Sequence, residues 1–302
     1  MLKIAFHPIY KHPLPEGHKF PMDKYDLLPR QLLHEGTCLK DNFFQPKIKT
    51  YDEKFIRMTH NPDYVDRLYN LDIHGHQARK VGFPLSEKLV KRERTITNGS
   101  IQACDLALEN GLAMNIAGGT HHAYSNRGEA FCMLNDQAIG ANYLLEQKKA
   151  KQILIVDLDV HQGNGTAEIF KHDDRVFTFS MHGKNNYPFK KETSDLDIAL
   201  PDDASDMEYL RILREQLPKL IEKVKPDFVF YLSGVDILSS DKLGKLGCSL
   251  EGCKERDRFV LSLLYQNQLP VEISMGGGYS KDIKVIIEAH ANTYRLAQDI
   301  YF

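Results

Sequence analysis

The chain has 302 residues, 42% of them hydrophobic, and its 39 Lys and Arg against 41 Asp and Glu leave a formal charge of −2. That length is enough to bury a large core within one domain, residues 1–302, and the near-neutral charge gives no support to nucleic acid or an anionic membrane surface as a partner. No apolar run reaches membrane-spanning length. The five scattered cysteines, Cys38, Cys104, Cys132, Cys248 and Cys253, fit reduced thiols of a cytoplasmic protein and not a disulfide framework.

Residues 2–6 read as a first strand and not as a signal peptide. Residues 7–25, rich in Pro, His and Lys, read as a long loop. Residues 24–35 carry a helical pattern that Pro29 is expected to interrupt or to start. Asn61, Pro62 and Asp63 mark a helix start, with Tyr64, Val65 and Leu68 at helical spacing behind it. Ser86 is a favourable N-cap for a helix from Glu87; the pattern continues over 97–110, and Asn110-Gly111 closes it.

From Leu112 a regular rhythm sets in. Short apolar runs at 113–117, 153–156, 176–179, 228–232 and 271–274 predict strands, and helical stretches at 136–146, 206–223 and 250–265 lie among them. Each strand is followed at once by polar residues or glycines: His121 and His122, the Asp157 to His161 run, Ser180 to His182, Asp236, and Tyr279 after three glycines. Alternating strands and helices imply a mainly parallel sheet covered on both faces, an α/β/α three-layer fold. Ligands of such sheets bind outside the carboxyl ends of the strands.

The stretch KQILIVDLDVHQGNGTAEI, residues 151–169, concentrates the chemistry. In an extended chain Asp157, Asp159 and His161 share a face. Gly163 and Gly165 then suit a tight turn, and 167–170 read as a helix start. Two carboxylates and an imidazole at the end of a buried strand are costly to desolvate unless something pairs them. Asp159 and His161 offer one oxygen and one nitrogen, a set that suits Zn²⁺ or Fe²⁺, with Asp157 free to hold a residue behind the metal. The bland alternative is a capped strand end with solvated acids. Asp236, in SGVDIL, is either a third ligand that leaves one position open for catalysis or an ordinary loop acid. His121 and His122 are either incidental surface residues or acid–base groups beside the metal. Gly276, Gly277 and Gly278 before Tyr279 let the backbone approach a ligand, or form a plain turn or phosphate loop. Neither GxGxxG nor GK[ST] is present, so nucleotide binding has weak support.

In this order, GGTHHA, DLDVHQGNGT, SGVDIL and GGGY resemble the histone deacetylase family within the arginase–deacetylase fold, and the resemblance spans essentially the whole chain. HKFPMDKY and SSDKLGKLGCS resemble bacterial deacetylase-like proteins closest to class IV. The resemblance implies that Asp159, His161 and Asp236 are zinc ligands, that His121 and His122 are the paired active-site histidines, and that Tyr279 donates to the substrate carbonyl. It implies Phe131 and Tyr187 as walls of an acyl-lysine tunnel, with Gly277 and Gly278 beside them. It also implies a buried K⁺ or Na⁺ site at Asp157, Asp159, His161, Ser180 and Met181, the last largely through backbone oxygens. Two departures stand out. Asn164 occupies a position that is aspartate in class I and asparagine in classes II and IV. Ala130 replaces a glycine common beside the tunnel phenylalanine.

The expected chemistry is metal-dependent hydrolysis of an N-acyl amide, with His122 as base, His121 held by Asp157, and Asn164 orienting His122. The leading substrate is an acyl-lysine side chain, acetyl or longer. The alternatives are a small acyl-amine such as an acetylpolyamine and, from another class, a catalytically silent metal-holding interaction module.

Overall fold

The computed structural model describes residues 1–302. Its eight strands are β1 (Lys3–Ala5), β2 (Phe43–Phe44), β3 (Leu112–Asn115), β4 (Ile153–Asp157), β5 (Val176–Gly183), β6 (Leu196–Leu200), β7 (Phe228–Leu232) and β8 (Val271–Ser274). They form one parallel sheet in the order β2-β1-β3-β8-β7-β4-β5-β6. The central strands are buried along their whole length, ILIVD in β4 and FVFYL in β7, as a sheet covered on both faces requires.

Ten helices cover it: α1 (Lys24–His34), α2 (Glu53–Thr59), α3 (Pro62–Tyr69), α4 (Gly75–Val81), α5 (Glu87–Asn110), α6 (Asp136–Glu146), α7 (Asn164–Phe170), α8 (Asp206–Val224), α9 (Leu250–Gln266) and α10 (Ile283–Tyr301). Helices α1, α8, α9 and α10 pack as one layer, and α2, α3, α5 and α6 as the other. Local sequence explains most of them. Helix α8 starts where the Ser205 side chain accepts from Glu208 N, and it buries Leu210, Leu213, Leu217 and Leu220 along one stripe. Helix α5 is capped by Ser86 and closed at Gly111, whose φ of 85° suits glycine. No helix is long and apolar enough to cross a membrane.

The chain order places the site. From β4 the chain runs outward through β5 to β6; from β7 it runs the other way to β8. Strands β4 and β7 are neighbours, so their carboxyl ends bound the crevice where connections diverge, the usual ligand position in open α/β sheets.

Three expectations are corrected. Pro29 neither breaks nor starts a helix: α1 runs through it from Lys24 to His34. The helix is kept by burial of Tyr25, Leu28, Pro29 and Leu32 on its inner face, which overrides the proline's lost hydrogen bond. Strand β5 does not stop at Phe179 but continues through Ser180, Met181 and His182, because these residues pair with Asp197, Ile198 and Ala199 of the edge strand β6. Strand β4 ends at Asp157, so Asp159 and His161 lie in the following loop.

Candidate active site

The loop after β4 is shaped by its own acids. Asp157 Oδ1 accepts from Asp159 N at 3.2 Å, and Asp159 Oδ1 accepts from His161 N at 3.0 Å. These side-chain-to-backbone turns are what short acids do in loops. They turn Asp159 and His161 toward Asp236, which follows β7. The ligand atoms of Asp159, His161 and Asp236 lie within 4.8 Å of one another, and all three residues are buried.

The electrostatics of this trio call for a cation. His161 Nδ1 lies 3.0 Å from Asp159 Oδ1 and 3.2 Å from Asp236 Oδ2. Against the desolvation of burial, the two carboxylates push the imidazole up to about 10. Burial, then the neighbouring Asp159 carboxylate, pushes Asp236 up to about 7. Asp236 Oδ2 has no hydrogen-bond partner although it is buried. An orphaned carboxylate oxygen beside an imidazole nitrogen and a second carboxylate fits a divalent ion with an oxygen and nitrogen donor set, which would displace the imidazolium proton. Gly277 belongs to the same construction. A Cβ there would stand 2.0 Å from Asp236 Oδ2 and 2.7 Å from Asp159 Oδ2, while its N–H donates to Asp159 Oδ2 at 2.9 Å.

The two histidines come from the loop after β3. His121 Nδ1 donates to Asp157 Oδ2 at 2.7 Å, and His122 Nδ1 donates to Asn164 Oδ1 at 2.6 Å. Asn164 Nδ2 donates to Tyr124 Oη at 2.9 Å, which orients the amide with its oxygen toward His122. Nε2 of His122 is thereby the free acceptor. The different partners split the pair. His121 is raised, its Asp157 and Asp159 neighbours outweighing burial. His122 is held well below the usual range by burial and by the positive charge of His121 and His161.

Tyr279 stands on the third side. Its backbone N–H donates to Asp241 Oδ2 at 2.6 Å. Burial, then Asp159 and Asp236, raises the phenol well above 10, so it remains a neutral donor. The rings of His161 and Phe131 lie 6.4 and 6.2 Å from it. Outside, a cleft of about 370 Å³ is lined by His122, Phe131, His161, Tyr187 and Tyr279 among others. Inside, a cavity of about 40 Å³ continues past the histidines to Phe20, Tyr25 and Phe83.

A family model, Histone deacetylase domain, matches residues 18–294. The chain belongs to the histone deacetylase family. It is 44% identical to an uncharacterized protein of Picosynechococcus over 99% of both chains. It is 30% identical to the acetoin utilization protein AcuC of Staphylococcus aureus, over 93% of this chain and 75% of that one. Among solved structures it resembles an HDAC homolog complexed with SAHA, with a TM-score of 0.82 and 25% identity over 98% of this chain and 82% of the other. The family makes this a deacetylase, a hydrolase of amide bonds, and its members generally use zinc, for which the buried Asp-His-Asp group is the candidate seat.

The deacetylase fold brings the residues singled out in the sequence into one place, with three qualifications. Asp157 faces His121, as expected, and stands outside the Asp159, His161 and Asp236 group, although it is also expected at a K⁺ or Na⁺ site with Asp159 and His161. Ser180 and Met181 lie on β5, where Ser180 pairs in register with Asp157, and Ser180 Oγ sits 3.0 Å from His182 Nδ1. Ala130 adopts φ 43° and Phe131 φ 68°, which is why a glycine suits position 130.

Several supporting residues carried no role in the sequence reading. Lys24 is buried and donates to Gly276 O at 3.0 Å beneath the Tyr279 ring; burial, offset by Asp236, Asp159 and Asp241, lowers its ammonium to about 8. Arg256 is fully buried and donates to Gly234 O at 2.5 Å and Leu158 O at 3.3 Å, tying the loops that carry Asp236 and Asp159. Glu129 accepts from Lys80, Arg127 and the Tyr187 hydroxyl. A lysine one residue inside an amphipathic helix gives no sign of being buried; the adjacent Arg256 and Asp257 pair, on the inner face of α9, was the one readable signal.

Proposed function

We propose that this chain acts as a single catalytic domain that hydrolyses the amide of an acyl-lysine side chain, with Asp159, His161 and Asp236 holding zinc. Fe²⁺ is compatible with the same donors. The observation that carries the reading is the unpartnered, buried Asp236 Oδ2 within reach of His161 and Asp159, with a neutral histidine base and a tyrosine donor converging on the same cleft.

A metal in that seat supplies Lewis-acid polarisation of the acyl carbonyl and a lower pKa for water in the site. His122 Nε2, kept neutral by burial, takes a proton from the attacking water. As oxygen adds to the carbonyl carbon, the Tyr279 hydroxyl donates to the developing oxyanion, a contribution of about 3–4 kcal/mol for comparable donors. His122 then hands its proton to the amine nitrogen as the C–N bond breaks. His121, braced by Asp157, holds positive charge beside this exchange. Phe131 and Tyr187 are the aromatic walls for the lysine stem, and the backbone at Gly277 and Gly278 stays close because neither carries a side chain. We place a K⁺ or Na⁺ ion at Asp157, Asp159, His161, Ser180 and Met181, behind the reacting centre. The five buried, unpaired cysteines favour a reducing, cytoplasmic setting.

Turnover of a fluorogenic acetyl-lysine substrate, abolished by a chelator and restored by Zn²⁺, tests the reading. A protein that binds zinc stoichiometrically yet hydrolyses no acyl amide would be the silent metal-holding module instead.

A further inference from the structure

The cleft outside the reacting centre includes Tyr187, Phe189, Leu243 and Lys245 in its lining, and no carboxylate. Its outer rim comes from two segments. Residues 184–191 carry Lys184, Lys190 and Lys191 and no acid. Residues 241–245 carry Lys242, Lys245 and one acid, Asp241. That acid is turned inward, accepting from Leu243 N at 2.8 Å, Gly244 N at 2.9 Å and Tyr279 N at 2.6 Å. Lys184, Lys190, Lys242 and Lys245 are exposed, whereas the Lys191 ammonium is used to staple its own loop, donating to Asn186 O and Pro188 O at 2.6 Å each. Asn186 Nδ2 donates to Leu243 O at 2.7 Å and joins the two segments into one wall.

The facing wall does not reverse this charge. Glu129 is buried and is matched by Lys80 at 3.0 Å and Arg127 at 2.8 Å, two cations for one carboxylate. Two exposed acids border the rim segments, Asp202 at 3.3 Å from Asn185 Nδ2 and Asp203, whose N–H donates to Lys245 O at 2.8 Å, and neither lines the cleft. Phe189, 93% exposed, projects from the same wall with its ring 6.5 Å from that of Tyr187. An aromatic ring this exposed beside a substrate channel offers apolar contact to whatever extends out of it.

We propose that the rim selects acyl-lysine set in a peptide with acidic side chains around it, and selects against acylated polyamines and basic peptides. This rests on the acyl-amide reading above and names its substrate class. A polyamine tail emerging from the tunnel would bring ammonium groups to a cleft lined by Lys245 and no carboxylate, with Lys184, Lys190 and Lys242 exposed on the same two segments, and like charges repel. An acidic peptide meets Lys245 and its neighbours with complementary charge and covers Phe189 with its own apolar atoms.

The test uses the metal-loaded protein and four probes. Three are acetyl-lysine peptides identical but for Asp, Ala or Lys on each side of the modified residue; the fourth is N-acetylputrescine. The expected order of kcat/KM is Asp above Ala above Lys peptide, about threefold to tenfold between the extremes at low salt and shrinking as salt is raised, with acetylputrescine the poorest. Lys245→Glu should compress or invert the ratio of Asp to Lys peptide, and Phe189→Ser should raise KM for all three peptides more than it lowers kcat. Peptides hydrolysed with no dependence on flanking charge, or acetylputrescine as the best substrate, would overturn the inference while leaving the deacylase standing. Hydrolysis of none of the four would remove the acyl-amide reading and the inference with it.

Discussion

Replacing Asn164 by Asp probes the catalytic assignment through a comparison already present in the molecule. His121 and His122 are adjacent, equally buried, and each donates from Nδ1 over nearly the same distance, 2.7 Å to Asp157 and 2.6 Å to Asn164. One partner is an acid and the other an amide, and the imidazole on the acid is raised while the other is held well below the usual range. Asn164→Asp gives His122 the partner that His121 has. Two unit charges 4 Å apart interact by about 4 kcal/mol at an effective dielectric of about 20, which bounds the shift near three pKa units. Burial of the new carboxylate and the positive charge of His121 reduce this, so one to two units is the expected range, at about 1.4 kcal/mol each. A base must be neutral in the free enzyme. Raising its pKa therefore moves the acidic limb of kcat/KM to higher pH and leaves the plateau above it in place. The assay is a pH profile on acetyl-lysine peptide, with metal content matched between variants because the altered loop also carries Asp159 and His161. An acidic limb that does not move would show that His122 is not the base, or that Asn164 does not control it.

Other variants separate the remaining roles. Asp159→Ala and Asp236→Ala should each lose bound zinc by elemental analysis together with turnover, since each removes one of three ligands. Tyr279→Phe should lower kcat by roughly 10²–10³ with metal content unchanged, because only the donor is deleted. His122→Ala should nearly abolish turnover at every pH, whereas His121→Ala should leave more. Arg256→Met leaves the buried Asp257 carboxylate without its charge partner and removes a donor from the Gly234 and Leu158 carbonyls; it should destabilise the fold by about 3–5 kcal/mol, read as a lower midpoint in denaturant.

What the sequence showed, it showed where local signal and burial agree. Strands β7 and β8 and helix α6 match their expected bounds to the residue: β7 is an unbroken apolar run, FVFYL, and α6 starts where the Asn135 side chain accepts from Ala138 N. Edge strand β6, LDIAL, was invisible: it is mostly half-exposed, and its own alternation is too short to read. Missing it also hid the end of β5, whose residues 181–183 extend past the last residue paired with β4 and pair with β6 instead. The site was legible as a set of motifs, yet its geometry was not. The division of roles was expected, Asp157 to His121 and Asp159 and His161 to Asp236, but alternation alone, which puts all three on one face, did not show the turns after β4 that separate them. Lys24 was illegible for a different reason: a charged side chain is read as solvated until a fold supplies the carbonyl that justifies burying it.

The central claim is that Asp159, His161 and Asp236 seat a metal at which an acyl amide is hydrolysed. Incubating zinc-loaded protein with an acetyl-lysine peptide in ¹⁸O-water, and weighing both products by mass spectrometry, tests it most directly. The predicted result is free lysine peptide and acetate carrying ¹⁸O, neither appearing after chelation or in Asp236→Ala. Deacetylation that persists in the metal-free protein, or acetate without solvent oxygen, would contradict it.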